Sequence, residues 1–205
     1  MSEVQPDGDP FDRLGSAIRA LSDAVVRSGA DAADADDVAA RVEELVARLS
    51  RTPQAPFVHD SPFHAMSIVG GTAHPIAPQL QLSRTERGVA GTTVLGAAYE
   101  GAPGLVHGGI VSLIFDHMMG QALFVTGHHA MTVQLEVRYR RPTPLGVPLT
   151  FTTELDRVAG RKLNVTGRVR TADGTTTAEA GGVFLELTAA NVAQLFPAAR
   201  VRPGR

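Results

Sequence analysis

One carboxylate interrupts a long apolar stretch near the middle of the chain. Residues 106–120 read VHGGIVSLIFDHMMG, and Asp116 is the only acidic residue among them. Apolar residues at nearly every helical position predict a buried helix, in which an ionised carboxylate is costly unless it is paired or hydrogen-bonded. Two interpretations stay open: Asp116 activates water or attacks a substrate itself, or it forms a salt bridge. The candidate partners for such a bridge are Arg138, Arg140 and Arg141.

The start of the same helix offers a second kind of chemistry. The pattern predicts a helix from about residue 108 to residue 126, closed by Gly127. A helix N-terminus carries unpaired N–H groups and a partial positive charge, and Gly108 and Gly109 let a ligand approach these amides closely. The helix start is therefore suited to polarise a carbonyl group, and equally to bind a simple anion.

The spacing of these two groups bears on how a site is assembled. Asp116 lies seven residues after Gly109, about 10.5 Å along a helix axis, which is too far for both groups of one chain to reach one reacting carbon. Two antiparallel helices in a two-fold dimer bring each N-terminus to the partner's carboxylate. Gly109, Ser112 and Gly120 share the face of Asp116, and this small, polar stripe leaves room for a ligand. The spacing predicts a homodimer with shared sites, or a dimer of such dimers.

The composition excludes several classes of site and partner. The 19 basic and 21 acidic residues give a formal net charge of −2, which does not favour nucleic acid as a partner. The absence of cysteine excludes disulfides, thiol nucleophiles and Cys-based zinc sites, and we expect no metal or other cofactor. The acidic start MSEVQPDGDP is unlike a signal peptide, and no apolar run reaches the roughly 18–20 residues of a membrane span. We therefore expect a cytoplasmic protein without stable membrane insertion.

Strand patterns surround the central helix. Before it, residues 79–84 alternate in polarity and residues 89–99 are rich in β-formers, with the polar turn TERG between them. Four strands are predicted after it, at residues 130–140, 148–157, 161–171 and 175–187. The dipeptide Asp173-Gly174 is a strong hairpin signal. One long helix before an antiparallel meander predicts an α+β fold in which the sheet wraps around the helix.

The N-terminal region has a different pattern. Asp9 followed by Pro10 is typical of a helix start. The stretch SGADAADADD separates two amphipathic patterns, and its last aspartates are candidates to cap the second helix. We predict a helical hairpin that acts as a packing appendage or dimer brace, with a lid over a substrate channel as the alternative. The predicted organisation is a helical appendage over residues 1–50, a linker over 51–77, the sheet domain over 78–190 and a tail over 191–205.

Three segments together resemble the hotdog-fold thioesterases, in particular the acyl-CoA thioesterases of the phenylacetate-pathway and 4-hydroxybenzoyl-CoA type. These segments are VHGGIVSLIFD, MTVQLEVRYRRP and DGTTTAEAGGVF, and the resemblance covers roughly residues 64–188. It implies a hotdog fold, with an antiparallel sheet around one central helix. It also implies hydrolysis of acyl-CoA thioesters to free acid and CoA.

The resemblance assigns roles to individual residues. Asp116 takes the position of the family's helix carboxylate, which acts as a general base for water or as the nucleophile. Gly108 or Gly109 takes the position of the glycine whose amide polarises the thioester carbonyl from the partner chain. Thr132 takes the position of the hydroxyl that orients water, and His107 that of the motif histidine, which shapes the loop.

Candidate substrate contacts lie along the helix and at the end of the following strand. Val106, Ser112 and Met119 are the candidates near the helix, where apolar neighbours allow a fatty or an aromatic acyl group. Arg140 and Arg141 are candidates for the CoA phosphates, with a solvated strand end as the alternative.

Strand alternation limits which arginines can contact a ligand. Arg138 and Arg140 share one face of the predicted strand, while Tyr139 and Arg141 share the other. Only one of these pairs can face a ligand groove.

One position departs from the family pattern and keeps other functions open. Gly101 stands where some members carry an asparagine near the carbonyl or water. The alternatives are therefore a non-catalytic acyl-CoA-binding module and an acyl-thioester hydratase or dehydratase. The second alternative requires an Asp/His pair on one substrate, and His117 projects from a different side of the helix than Asp116.

Overall fold

A computed structural model describes residues 9–51, 67–188 and 190–191 of the chain. The helices are α1 (Pro10–Arg27), α2 (Ala32–Leu49) and α3 (Gly108–Val125), with a short 3₁₀ helix at Ala97–Tyr99. The strands are β1 (Gln81–Arg84), β2 (Gly88–Val94), β3 (Ala130–Tyr139), β4 (Pro148–Ala159), β5 (Lys162–Thr171) and β6 (Thr176–Glu186). Residues 52–66 of the predicted linker and 192–205 of the predicted tail lie outside the described part.

The six strands form one antiparallel sheet that curves around α3. Their order is β1-β2-β4-β5-β6-β3, so β1 and β3 are the edge strands of the described sheet. α3 packs against every strand from β2 to β6. This is the predicted α+β hotdog architecture.

The core lies between α3 and the concave face of the sheet. Ile114, Phe115 and Met118 of α3 are fully buried, and the ring of Phe115 meets that of Phe151 edge-on at 5.4 Å between centroids. Each such side chain contributes about 1.5–3 kcal/mol through burial of apolar surface. The prediction that the apolar α3 is a buried helix is thus confirmed, since the sheet encloses it.

Turn chemistry fixes the joints between these elements. Gly127 adopts a φ of +89° just after α3, as expected of a closing glycine. Gly174 has a φ of +85° between β5 and β6, where Asp173 accepts a hydrogen bond from the Thr175 amide. One strand is shorter than predicted: β2 ends at Val94, and the chain turns into the 3₁₀ helix instead of remaining extended to Tyr99.

α3 also resembles a membrane span in length and composition. Among the described residues it is the helix that is long and apolar enough to cross a membrane, with a mean hydropathy of 1.3 over 18 residues. The expectation that no segment reaches this length was therefore wrong. Because the sheet surrounds α3, its apolar character is accounted for by the core of the fold.

The two hairpin helices differ in how they are capped and held. Asp9 caps α1 as predicted, accepting a hydrogen bond from the Phe11 amide. The cap of α2 was predicted wrongly: Asp31, the first aspartate of the acidic stretch, accepts from the amides of Ala33 and Asp34. The last aspartates of that stretch lie inside the helix.

Specific contacts attach α1 to the sheet domain. The Arg19 guanidinium donates to the carbonyl oxygens of His74 and Thr72 at 2.6 and 3.0 Å. Asp23 accepts from the Ala98 amide at 2.7 Å. Gly15 lies so close to Ala73 that an added Cβ would stand 2.4 Å from its carbonyl oxygen.

α2 has no buried residue. Its apolar side lines a groove of about 1080 Å³, together with α1 and residues 75–79 and 94–99. Val38 and Leu45 of α2 remain 43% and 56% exposed. The hairpin is therefore attached to the sheet domain mainly through α1.

Candidate active site

Asp116 and Thr132 form the centre of the candidate site. Asp116 lies two turns into α3, half-buried, on the same side as Ser112 and Gly120, which are also half-buried. The Thr132 hydroxyl donates to Asp116 Oδ1 at 2.8 Å. This bond leaves the second carboxylate oxygen available for water or substrate. The hydroxyl implied by the family resemblance thus lies beside the carboxylate.

A β-bulge in β3 determines which side chains face α3. The pairing of β3 with β6 shifts register between Thr132 and Gln134, so one extra residue is accommodated at this point. Without the extra residue, Thr132 and Tyr139 would lie on opposite faces, because seven positions separate them. With the bulge, both side chains contact α3.

The arginines of β3 lie elsewhere. Arg138 pairs with Glu136 and Arg140 pairs with Glu179, each at 2.8 Å. Glu179 alternates with the buried Ala178 and Ala180, so the Arg140 pair lies on the outer face of the sheet, away from Asp116. In the described part of the chain no ion pair involves Asp116, and the salt-bridge interpretation finds no support.

The α3 N-terminus is capped by its own histidine. His107 Nδ1 accepts a hydrogen bond from the Gly109 amide at 3.0 Å, which implies that the imidazole proton sits on Nε2. The Gly108 amide, by contrast, has no acceptor among the described residues. Of the two candidate amides, that of Gly108 is therefore the one free to bind a ligand oxygen.

Ser112 and Tyr139 complete the first turn of α3. The Tyr139 hydroxyl donates to the Gly108 carbonyl at 2.7 Å and lies 2.9 Å from the Ser112 hydroxyl. Ser112 in turn lies 3.2 Å from the same carbonyl. Tyr139 follows Leu135 and Val137, which pack against the core, so the alternation of apolar residues in β3 is the sequence signal that places its side chain toward α3.

The remaining candidate contacts divide into buried and exposed residues. Met119 is fully buried, with its sulfur directly beside Gly182 of β6, so it belongs to the core and presents no surface to a ligand. Val106 is also buried, at 7% exposure. Arg141 is exposed beyond the end of β3. Of the residues proposed for substrate contact, Ser112 is the one that lies on the same side of α3 as Asp116 and contacts the helix start.

The departure at Gly101 has a steric reason. A Cβ at this position would lie 2.8 Å from the His107 Cα, and the Gly101 amide donates to the Leu105 carbonyl. The tight loop before α3 thus excludes a side chain here unless the loop moves.

His117 is the other ionisable residue of α3. It is partly buried, and its burial lowers the pKa of the imidazole, while the neighbouring Asp116 opposes that shift. Its Nε2 lies 4.0 Å from where a Cβ on Gly70 would stand, and Leu82 of β1 lies equally close to that point. His117 therefore does not face the same substrate position as Asp116 and Thr132.

Sequence relatives of this chain are thioesterases. Residues 103–178 match the thioesterase superfamily. Acyl-coenzyme A thioesterase THEM4 of Bos taurus is 37% identical over 93 residues, which are 45% of this chain and 38% of that protein. Acyl-coenzyme A thioesterase THEM5 of Homo sapiens is 30% identical over 93 residues, with the same two shares. The chain thus spans well under half the length of these curated relatives.

Solved structures extend the comparison. A thioesterase superfamily protein of known crystal structure superposes with a TM-score of 0.80 at 36% identity, covering 88% of this chain and 92% of that chain, so the match reaches into the helical hairpin. The smu.793 protein of Streptococcus mutans, solved bound to acetyl CoA, has a TM-score of 0.50 at 22% identity, covering 53% of this chain and 88% of that one. The second match concerns the fold alone. From its fold and from a 36%-identical relative matched over nearly its whole length, this chain belongs to the thioesterase superfamily.

Proposed function

We propose that the protein hydrolyses acyl-CoA thioesters to free acid and CoA. The observation that carries the proposal is the Thr132–Asp116 hydrogen bond of 2.8 Å on a half-buried, otherwise small-residue stripe of α3. The names of the curated relatives, which are acyl-coenzyme A thioesterases, support the same substrate class.

The proposed chemistry needs one activated oxygen and one hydrogen-bond donor. Asp116 takes a proton from water as the water oxygen attacks the thioester carbon, while the Thr132 hydroxyl holds the carboxylate in place. The developing oxyanion is stabilised by the Gly108 amide of a second subunit. When the C–S bond breaks, the electron pair leaves with the CoA sulfur, which takes up the proton from Asp116. Direct attack by the carboxylate is the alternative first step.

The proposed site contains two subunits because of the length of α3. Gly108 and Asp116 of one chain are eight residues apart, about 12 Å along the helix axis. The β3 edge supports pairing of two chains, since an unpaired edge strand invites a partner. Met131 and Val133 near its start are 45% and 60% exposed.

A non-catalytic acyl-CoA-binding module is the second candidate. The observation that favours it is Gly101, since the tight contact with His107 leaves no room for the asparagine that some family members carry. Such a module would bind acyl-CoA and release no thiol.

The test measures thiol release from acyl-CoAs of short, long and aromatic acyl groups. We expect turnover by the wild type and a loss of about a hundredfold or more in kcat for Asp116→Asn, because the substitution removes the base or nucleophile. Asp156→Asn makes the same change on exposed β4 and should leave kcat unchanged.

Two results would contradict the proposal in different ways. Acyl-CoA binding by the wild type with no thiol release on any substrate would favour the binding module. Unchanged turnover by Asp116→Asn would remove Asp116 from the mechanism.

A further inference from the structure

The proposed mechanism gives no role to Tyr139, although its side chain lies at the α3 N-terminus. It is the last residue of β3, and its side chain crosses to the first turn of α3. We infer that Tyr139 is a positioning residue, which fixes the direction of the Gly108 amide. The inference rests on the proposed hydrolysis, in which that amide stabilises the oxyanion.

Tyr139 lies so close to Gly108 that the contact requires a residue without a side chain at position 108. A Cβ on Gly108 would lie 3.0 Å from the Tyr139 hydroxyl oxygen and 3.1–3.3 Å from two ring carbons. Glycine at position 108 therefore has two effects: it exposes the backbone to a ligand, and it lets the Tyr139 ring lie against the helix start. The hydroxyl then donates to the Gly108 carbonyl at 2.7 Å.

The two peptide groups on either side of the one that carries the Gly108 N–H are each held by a hydrogen bond. In the preceding group, the His107 amide donates to the Tyr99 carbonyl at 2.9 Å. In the following group, the Gly108 carbonyl accepts from the Tyr139 hydroxyl. An amide stabilises an oxyanion only when it points at the place where the charge develops, and a misplacement of about 1 Å can cost about a hundredfold in rate.

β3 consequently holds α3 at two points. Thr132 binds Asp116 near the start of the strand, and Tyr139 binds Gly108 at its end. In a two-fold dimer these two points belong to different sites, because each site combines the carboxylate of one chain with the amide of the other. One strand thus orients a group in each site.

The test uses Tyr139→Phe, which keeps the ring against Gly108 and removes only the hydroxyl. We expect kcat on the best acyl-CoA to fall about tenfold or more, with KM changed less than about twofold, because the amide acts mainly in the transition state. Ser22 of α1 is the control, since its hydroxyl also donates to a backbone carbonyl, that of Ile18 at 2.9 Å. Because α1 lies away from Asp116 and Gly108, Ser22→Ala should leave both constants within about twofold.

A double-variant comparison separates positioning from a general structural effect. Gly108→Pro removes the N–H at the first helical position, where proline is tolerated, and His107 has φ −60° and ψ 130°, suitable before proline. In this background Tyr139→Phe should have no further effect on kcat, since the amide it orients is gone. The Gly108→Ala background keeps the N–H, but its Cβ crowds the Tyr139 hydroxyl, so Tyr139→Phe should lower kcat less there than in the wild type.

The outcomes distinguish the inference from the function on which it rests. Absence of thiol release by the wild type overturns the proposed function and this role with it. Turnover by the wild type with equal kcat for Tyr139→Phe overturns only the role of Tyr139. An equal loss from Tyr139→Phe in the wild-type and Gly108→Pro backgrounds also overturns it, because the hydroxyl would then act independently of the amide.

Discussion

α3 and the two hairpin helices each contain 18 residues, yet their surroundings differ completely. α3 is apolar on nearly every side and is enclosed by the sheet. α1 and α2 are both amphipathic, but Gly15 is the single buried residue of α1, and α2 has none. α1 is held by hydrogen bonds to backbone carbonyls, whereas α2 leaves its apolar side facing a groove. Helix length and amphipathicity therefore do not determine how strongly a helix is integrated into a fold.

The largest difference should appear when aliphatic side chains are truncated on α3 and α2. Ile114→Ala removes a fully buried side chain of α3, and the lost burial and residual cavity should lower the free energy of unfolding by about 2–5 kcal/mol. Leu45→Ala on α2, where the side chain is 56% exposed, should change it by less than about 0.5 kcal/mol. Urea denaturation measures both. A cost for Leu45→Ala comparable to that for Ile114→Ala would mean that α2 is packed against a partner.

A smaller effect is expected at the contact between α1 and the sheet domain. Gly15→Ala adds a Cβ that would stand 2.4 Å from the Ala73 carbonyl oxygen. The crowding should cost about 1–3 kcal/mol, more than the roughly 1 kcal/mol that alanine gains over glycine in a helix. Gly29→Ala is the control, because nothing lies within 4 Å of its added Cβ. A more stable Gly15→Ala would show that α1 is not tightly attached.

The smallest effect is expected for the guanidinium that attaches α1. Arg19→Met keeps most of the aliphatic stem and removes the donors to His74 and Thr72, which should cost about 1 kcal/mol. Arg13 of the same helix makes no side-chain hydrogen bond within the described part of the chain. Thermal unfolding of Arg13→Met should therefore match the wild type, and equal behaviour of the two variants would argue against the polar attachment.

Sequence reasoning located the elements well where local rules dominate. The ends of α3 and the four strands after it were predicted to within about two residues, since apolar patterning and glycine turns act locally. The cap of α2 was misplaced because several aspartates in succession satisfy the same preference. Which aspartate becomes the cap depends on where the loop after α1 ends, and local sequence does not determine that point.

Within the candidate site, the sequence predicted which residues take part more reliably than which way their side chains point. Asp116 and Thr132 were expected to lie together, and they do. The β3 bulge was not expected, although it brings Thr132 to the same face as Tyr139. Met119 was misjudged because a helix buried on nearly all sides gives no signal of which side meets a ligand. The choice between the Gly108 and Gly109 amides depended on the His107 ring, whose rotamer no spacing rule supplies.

The central claim is that Asp116 of one subunit and the α3 N-terminus of the other act on the same thioester. Its most direct test is thiol release by a co-expressed mixture of Asp116→Asn and Gly108→Pro chains, each of which should be nearly inactive alone. Random pairing makes half of the dimers mixed, and each mixed dimer holds one intact site of two, so about a quarter of the wild-type activity should return. Activity no higher than that of the separate variants, in a mixture shown to contain mixed dimers, would place both groups of each site in one chain and contradict the account.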